Sequence, residues 1–144
     1  PASCSPRARV ATVTTLRDTD PPMLATFVFW HLRLGFARVY LYFDDPAESS
    51  VAHAGQLRRE AARRGYGEDA VRVVPVDAAV RAEWSFMETG QRWDLERVLH
   101  HVEVRQMLNC EHAMARCREA GEEWLLHVDS DELEASDHGK HDEL

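Results

Sequence analysis

The sequence lacks several features by which whole classes of protein are recognised. It has no apolar run long enough to cross a membrane, and its first residues lack the apolar core of a secretory signal peptide. Its 17 lysines and arginines are outnumbered by 25 aspartates and glutamates, which gives a formal net charge of −8. Because phosphate backbones are bound by clustered cations, we expect no nucleic-acid partner, and we expect no membrane span in this chain.

Paired cysteines and glycine-rich motifs are also missing. The three cysteines, Cys4, Cys110 and Cys117, contain no Cys-x-x-Cys pair, which argues against a disulfide framework or a zinc ribbon. On a helix, Cys110 and Cys117 would stand about 10 Å apart, beyond the reach of a disulfide. No glycine loop of the Walker or dinucleotide-binding type is present. An anionic ligand would therefore need a metal ion or a helix N-terminus to hold it.

Strand-like and helix-like segments alternate along a chain of 144 residues whose hydrophobic content, 44%, is that of one folded domain. Strands are predicted at 9–15, 37–43, 71–76 and 123–128. Helices are predicted at 20–34, 47–64 and 94–120, and the irregular pattern at 77–93 predicts a loop or short helical turns lying over the sheet. This alternation predicts an α/β fold with a mostly parallel sheet and helices on both faces. We divide the chain into a disordered segment (1–8), one domain (9–132) and an acidic tail (133–144).

The first predicted helix has recognisable start and stop signals. Asp20 is a candidate cap, prolines fill the first turn, and Gly35 ends the helix. Its apolar face is predicted to consist of Met23, Phe27, Trp30 and Leu34.

Acidic residues cluster where the predicted strands end. The strand ends carry Asp18, Asp44 with Asp45, Asp77, and the run Asp129-Ser130-Asp131-Glu132. Ligands of open α/β sheets bind beyond the carboxyl ends of the strands, and carboxylates are ligands for divalent cations. These strand ends therefore predict a metal-assisted site.

Asp129 and Asp131 form an Asp-x-Asp step directly after a predicted strand. Residues two apart in an extended chain point the same way, so both carboxylates can face one ligand. One would bind a sugar hydroxyl while the other holds a metal ion that stabilises the charge on a departing nucleoside diphosphate. The alternative for this pair is a solvated acidic turn.

The long predicted helix places Gln106 and Asn109 beside the stripe that should face the sheet. That stripe consists of Leu95, Leu99, Val102, Ala113 and Cys117. Polar groups in such a place need partners, which either a bound nucleotide or other groups of the helix could supply. We interpret His31, which has no partner at ligand spacing, as a packing residue.

Four segments, in this order along the chain, resemble the family 2-like and family 92 glycosyltransferases, which have the GT-A fold. They are Val10–Asp18, Phe29–Tyr42, Arg105–Asn109 and Trp124–Glu132. The resemblance implies the nucleotide-binding half of a GT-A (Rossmann-like) domain. It also implies an activity, the transfer of a sugar from a nucleoside-diphosphate sugar, with a UDP-sugar favoured, to a glycan or protein acceptor.

The resemblance also implies roles for individual residues. A pocket for the base and ribose would be lined by Thr14, Thr15, Leu16 and Arg17, with Asp44 or Asp45 near the nucleoside. Asp129 would face the ribose or the sugar, and Asp129 and Asp131 together would form the site for Mn²⁺ or Mg²⁺. Glu132 would brace the loop.

Two other functions remain as alternatives. The family has an acceptor-binding half with a catalytic base after the position of Glu132, whereas only residues 133–144 follow here. A truncated, non-catalytic nucleotide-binding module is therefore the second hypothesis, and no catalytic base is assigned. The third is a magnesium-dependent phosphotransferase with Asp129 as nucleophile, although that chemistry favours an acidic pair after the first strand.

The final residues, His141-Asp142-Glu143-Leu144, match an ER-retention address. Together with the family resemblance they predict the lumen of the secretory pathway, in the ER or Golgi, and the cytoplasm remains the alternative.

Overall fold

The computed structural model describes residues 7–131. The predictions made for residues 1–6, for Glu132 and for the tail at 133–144, including its retention address, lie outside the described residues.

The predicted α/β fold is confirmed: four parallel strands form one sheet that is flanked by helices in a Rossmann-like arrangement. The strands are β1 (Val10–Leu16), β2 (Arg38–Phe43), β3 (Val71–Pro75) and β4 (Trp124–His127). Their order in the sheet is β3-β2-β1-β4, so β1 lies between two parallel neighbours. Strand β3 ends at Pro75 and lies at an edge of the sheet, where a residue without an amide hydrogen is tolerated.

Six helices connect these strands within the described residues. They are α1 (Pro21–Arg33), α2 (Ser50–Arg63), α3 (Ala78–Trp84), α4 (Glu88–Arg92), α5 (Leu95–Val98) and α6 (Val102–Ala120). The short helices α3 and α4 occupy the stretch 77–93, where a loop or short helical turns were predicted. Among residues 7–131, no helix is long and apolar enough to cross a membrane.

The sheet is covered on both faces by apolar cores. Helices α1 and α2 pack on one face, where Leu16 and Leu41 meet Phe27 and Leu57. The segment from α3 to α6 packs on the other face, where Val13 and Tyr42 meet Trp84 and Leu108. Alternate residues of each strand thus serve opposite cores, as the period of two in a strand requires.

The apolar face predicted for the first helix is shifted by one position. Met23 and Leu34 are exposed by 38% and 42%, whereas Leu24, Val28 and Leu32 are buried. Only Phe27 of the predicted face is fully buried. The helix is apolar nearly all round, so spacing alone could not identify the side that meets the sheet. Asp20 precedes the helix as predicted but makes no side-chain capping hydrogen bond.

The prediction of a single long helix over 94–120 is wrong, because the helix is interrupted between α5 and α6. His101 has an extended backbone, and the carbonyl of Leu99 accepts a hydrogen bond from Arg105 Nη1 at 2.7 Å. The predicted stripe is therefore out of phase, and Val102 is 43% exposed. The buried side chains of α6 are those of Val104, Leu108, Asn109, His112, Ala113 and Cys117.

Candidate functional site

The candidate site lies where the four strands end at their carboxyl termini. From β1 the chain proceeds outward through β2 to β3, and then returns to place β4 on the other side of β1. The sheet therefore has a topological switch point between β1 and β4. Open α/β sheets bind their ligands in the crevice outside the strand ends at such a point.

A buried ion pair joins helix α6 to the end of β2. Arg105 Nε donates to Asp44 Oδ2 at 3.0 Å, and the two side chains are only 13% and 6% exposed. The backbone N–H of Asp44 donates to the carbonyl of Leu16 at 2.9 Å, which fixes the end of β2 against the end of β1. Asp44 Oδ1 is buried and has no hydrogen-bond partner among the described residues. The second oxygen of this carboxylate is thus neither paired within the described residues nor open to solvent.

One turn further along α6, Asn109 is fully buried and reaches β1. Its Nδ2 donates to Thr15 Oγ1 at 3.0 Å, while its Oδ1 has no partner among the described residues. Asn109 thus meets one of the predicted nucleotide-binding residues, and not only groups of its own helix. Gln106, predicted to lie on the same face, is half-buried and takes no part in these bonds between α6 and the strand ends.

Asp129 and Asp131 follow β4 on the other side of β1. Val13 pairs with His127, and the N–H of Val128 donates to the carbonyl of Val13 at 3.2 Å. Thr15 on β1 and Asp129 after β4 each lie two residues further along the chain than the paired residues Val13 and His127. Both aspartates are exposed. They therefore lie beside the switch point and are open to solvent.

The other predicted residues divide into supporting and exposed groups. Thr14 and Leu16 are fully buried, so their side chains support the site from within the sheet. Arg17 is exposed directly after β1. Asp45 is exposed as well, and its Oδ1 accepts the N–H of Ala47 at 2.9 Å, which shapes the turn after β2. His31 is fully buried between Phe27 and Phe36, which supports its interpretation as a packing residue.

A small cavity of about 160 Å³ opens at the ends of β1 and β2. Its walls are formed by Arg17, Asp44, Asp45, Arg81, Leu99 and Arg105. Three of these residues were predicted from the sequence. Arg105 could have been found from its position, because it precedes Asn109 by four residues and so shares a face of the same helix. No sequence signal pointed to Arg81, which lies in the last turn of α3.

Within residues 7–131, no group of three or more histidine, cysteine or acidic side chains is arranged to hold a metal ion. Asp129 and Asp131 supply two carboxylates. Hard cations such as Mg²⁺ and Mn²⁺ are often held by one or two carboxylates together with phosphate oxygens of a substrate and water. The donor set after β4 therefore suits a metal that arrives with a phosphorylated ligand.

Comparisons with family models, with curated proteins and with solved structures found no match to this chain.

Proposed function

We propose that this chain binds a nucleoside-diphosphate sugar, with a UDP-sugar favoured, and acts as a metal-dependent GT-A glycosyltransferase domain. The observation that carries the proposal is the position of Asp129 and Asp131 after β4, beside the switch point between β1 and β4. This is where a ligand of an open α/β sheet is expected, and the two residues are exposed there. The sequence resemblance supplies the reaction class and the expected acceptor, a glycan or a protein.

Mn²⁺ or Mg²⁺ held by Asp129 and Asp131 would act as a Lewis acid toward the charge that develops on the leaving diphosphate. The other residues of the site bind and orient the donor. Asp44 forms part of the cavity wall beside which the nucleoside would lie. Arg105 holds that carboxylate in position through their ion pair, and Asn109 fixes Thr15 at the end of β1.

Calorimetric titration tests this function. UDP and GDP should be titrated with and without Mn²⁺ into the wild-type chain and into Asp131→Asn. We expect UDP to bind more tightly with Mn²⁺, and Asp131→Asn to weaken that binding by about tenfold to a hundredfold, as loss of a metal-supporting residue does elsewhere. Binding that is indifferent to both Mn²⁺ and Asp131→Asn would contradict the metal role.

Asp69→Asn provides the matched control. Asp69 is exposed in the loop before β3, at the opposite edge of the sheet, where it forms an ion pair with Arg72. The substitution removes the same charge without touching the site, so nucleotide binding should stay at the wild-type level. A transfer assay with labelled UDP-sugars then separates an enzyme from a binding module. Metal-dependent binding without turnover would favour the non-catalytic module.

A further inference from the structure

The cavity at the ends of β1 and β2 is lined by more positively charged than negatively charged side chains. Three guanidinium groups line it, from Arg17, Arg81 and Arg105, against the two carboxylates of Asp44 and Asp45. The chain as a whole has a formal net charge of −8. A local surplus of positive charge in an acidic protein attracts anions to that place.

The three arginines are not equivalent. The guanidinium group of Arg105 already has partners within the protein, because it is paired with Asp44 and also donates to the carbonyl of Leu99. Arg17 and Arg81 are exposed, and neither forms an ion pair within residues 7–131. They approach the cavity from different elements, Arg17 from the end of β1 and Arg81 from α3. Two guanidinium groups that form no ion pair and line a small cavity from different elements are suited to bind a phosphate, which arginine holds with paired hydrogen bonds.

Asp44, which forms part of the same cavity wall, has a buried Oδ1 without a hydrogen-bond partner among the described residues. A buried acceptor left unsatisfied is costly, so a ligand that brings a donor to this wall is favoured. A nucleoside phosphate does so, because it carries hydroxyl and N–H groups close to its phosphate.

We propose that Arg17 and Arg81 form a phosphate subsite that binds nucleoside phosphates without a metal ion. The inference rests on the proposed function for the identity of the ligand, but it assigns the two arginines a role that is separate from that of Asp129 and Asp131. The chain then has two means of neutralising a diphosphate, a permanent one beside β2 and a metal-dependent one after β4. Donor binding should consequently persist, though more weakly, when the metal is removed.

Uridine, UMP and UDP, titrated in EDTA, separate the subsite from the metal site. The proteins are the wild type, Arg17→Gln, Arg81→Gln and the control Arg33→Gln, whose arginine is exposed in the last turn of α1, away from the strand ends that form the cavity. We expect each cavity variant to weaken UMP and UDP by about tenfold, the value of a charge-assisted hydrogen bond. Uridine should bind all four proteins equally.

Two results would overturn the subsite. One is UMP binding by Arg17→Gln and Arg81→Gln at the wild-type level; the other is an equal loss for uridine, which would place the arginines on the base or ribose. The metal proposal is scored separately. If the arginine variants bind UMP normally while Asp131→Asn loses the Mn²⁺ effect, the subsite fails and the proposed function stands. If the arginine substitutions weaken UMP binding while Asp131→Asn keeps the Mn²⁺ effect, the subsite stands and the metal role in the proposed function fails.

Discussion

Gly90 shows how one residue can fix a tight approach between short helices. A Cβ atom placed on this residue would collide with the backbone carbonyl oxygen of Trp84. The side chain of Trp84 is fully buried in the core between the sheet and the segment from α3 to α6. The backbone of α4 can approach the end of α3 this closely only because Gly90 has no side chain.

We therefore expect Gly90→Ala to destabilise the protein by about 1–3 kcal/mol, since the backbone must shift against a packed core. Gly55→Ala is the matched comparison. Gly55 lies inside α2 with only the end of Arg59 near a built Cβ, at 3.9 Å, so the change should stabilise the protein by about 0.5–1 kcal/mol. Urea unfolding measures both. Equal effects of the two substitutions would show that the contact with Trp84 does not constrain α4.

The ion pair between Asp44 and Arg105 gives a second prediction at this scale. Arg105→Met leaves a nearly buried carboxylate without its partner, and we expect the free energy of unfolding to fall by about 3 kcal/mol. Combining it with Asp44→Asn should recover part of that loss, because no buried charge then remains. A double-mutant cycle in urea measures the coupling. Strictly additive losses would mean that the two groups do not support each other.

At the scale of elements, α6 carries a polar chain into the second core. His112 is 2% exposed, and its Nδ1 lies 2.7 Å from the hydroxyl of Tyr42 on β2. Its Nε2 lies 2.9 Å from a carboxylate oxygen of Glu83 on α3, which Arg116 also contacts. Burial lowers the pKa of His112, and the positive charge of Arg116 lowers it further, against the opposing effect of Glu83 and Glu119.

The lowered pKa of His112 makes stability depend on pH in a defined direction. Below the ordinary value of 6.5, the unfolded chain binds a proton at this position while the folded chain does not. The stabilising contribution is therefore complete above 6.5 and is lost as the pH falls, by at most about 1.4 kcal/mol per pH unit.

Urea unfolding of wild type and His112→Gln at about pH 7.5 and about pH 5.5 checks this expectation. Glutamine keeps a polar side chain at the position but does not titrate. Acid should destabilise the wild type more than the variant, since carboxylates contribute equally to both. An identical loss in the two proteins would show that His112 does not titrate between its folded and unfolded states.

Sequence patterns predicted the elements better than their contacts. The four strands and the first two helices were found because apolar runs and Gly or Pro stops are local signals, and Asn109 was found as a polar residue on a buried face. The break before α6 was missed because its cause is non-local: Arg105 donates to the carbonyl of Leu99 while it pairs with Asp44 at the end of β2. Arg81 was missed because the other residues of the cavity wall are also distant from it in the sequence.

At the scale of the whole molecule, the inner position of β1 in the sheet determines which strands resist local opening most strongly. Its residues hydrogen-bond to β2 on one side and to β4 on the other, whereas β3 and β4 each have one strand neighbour within residues 7–131. The amides of the inner strands are released only when the sheet opens globally, while an edge strand can detach on its own.

We expect the amide hydrogens of Val13 and Leu41 to exchange most slowly, at rates set by global unfolding. Those of β4 should exchange through local opening, with a weaker dependence on urea. Native-state hydrogen exchange, read by NMR or mass spectrometry, measures this order. Protection of β4 equal to that of β1 would show that the whole sheet opens as one unit.

The pairing of Val10 with Trp124 joins positions near the two ends of the described chain. Its loop closure is entropically expensive, so the β1–β4 ladder is expected to form late in folding, after β1 and β2 have paired. Substitutions in β4 should then raise the unfolding rate and leave the refolding rate nearly unchanged, as low φ-values require. During synthesis on the ribosome, the carboxylates of Asp129 and Asp131 would reach the edge of the sheet only at this last step. A partly made chain would therefore acquire its arginine-lined cavity before its candidate metal site.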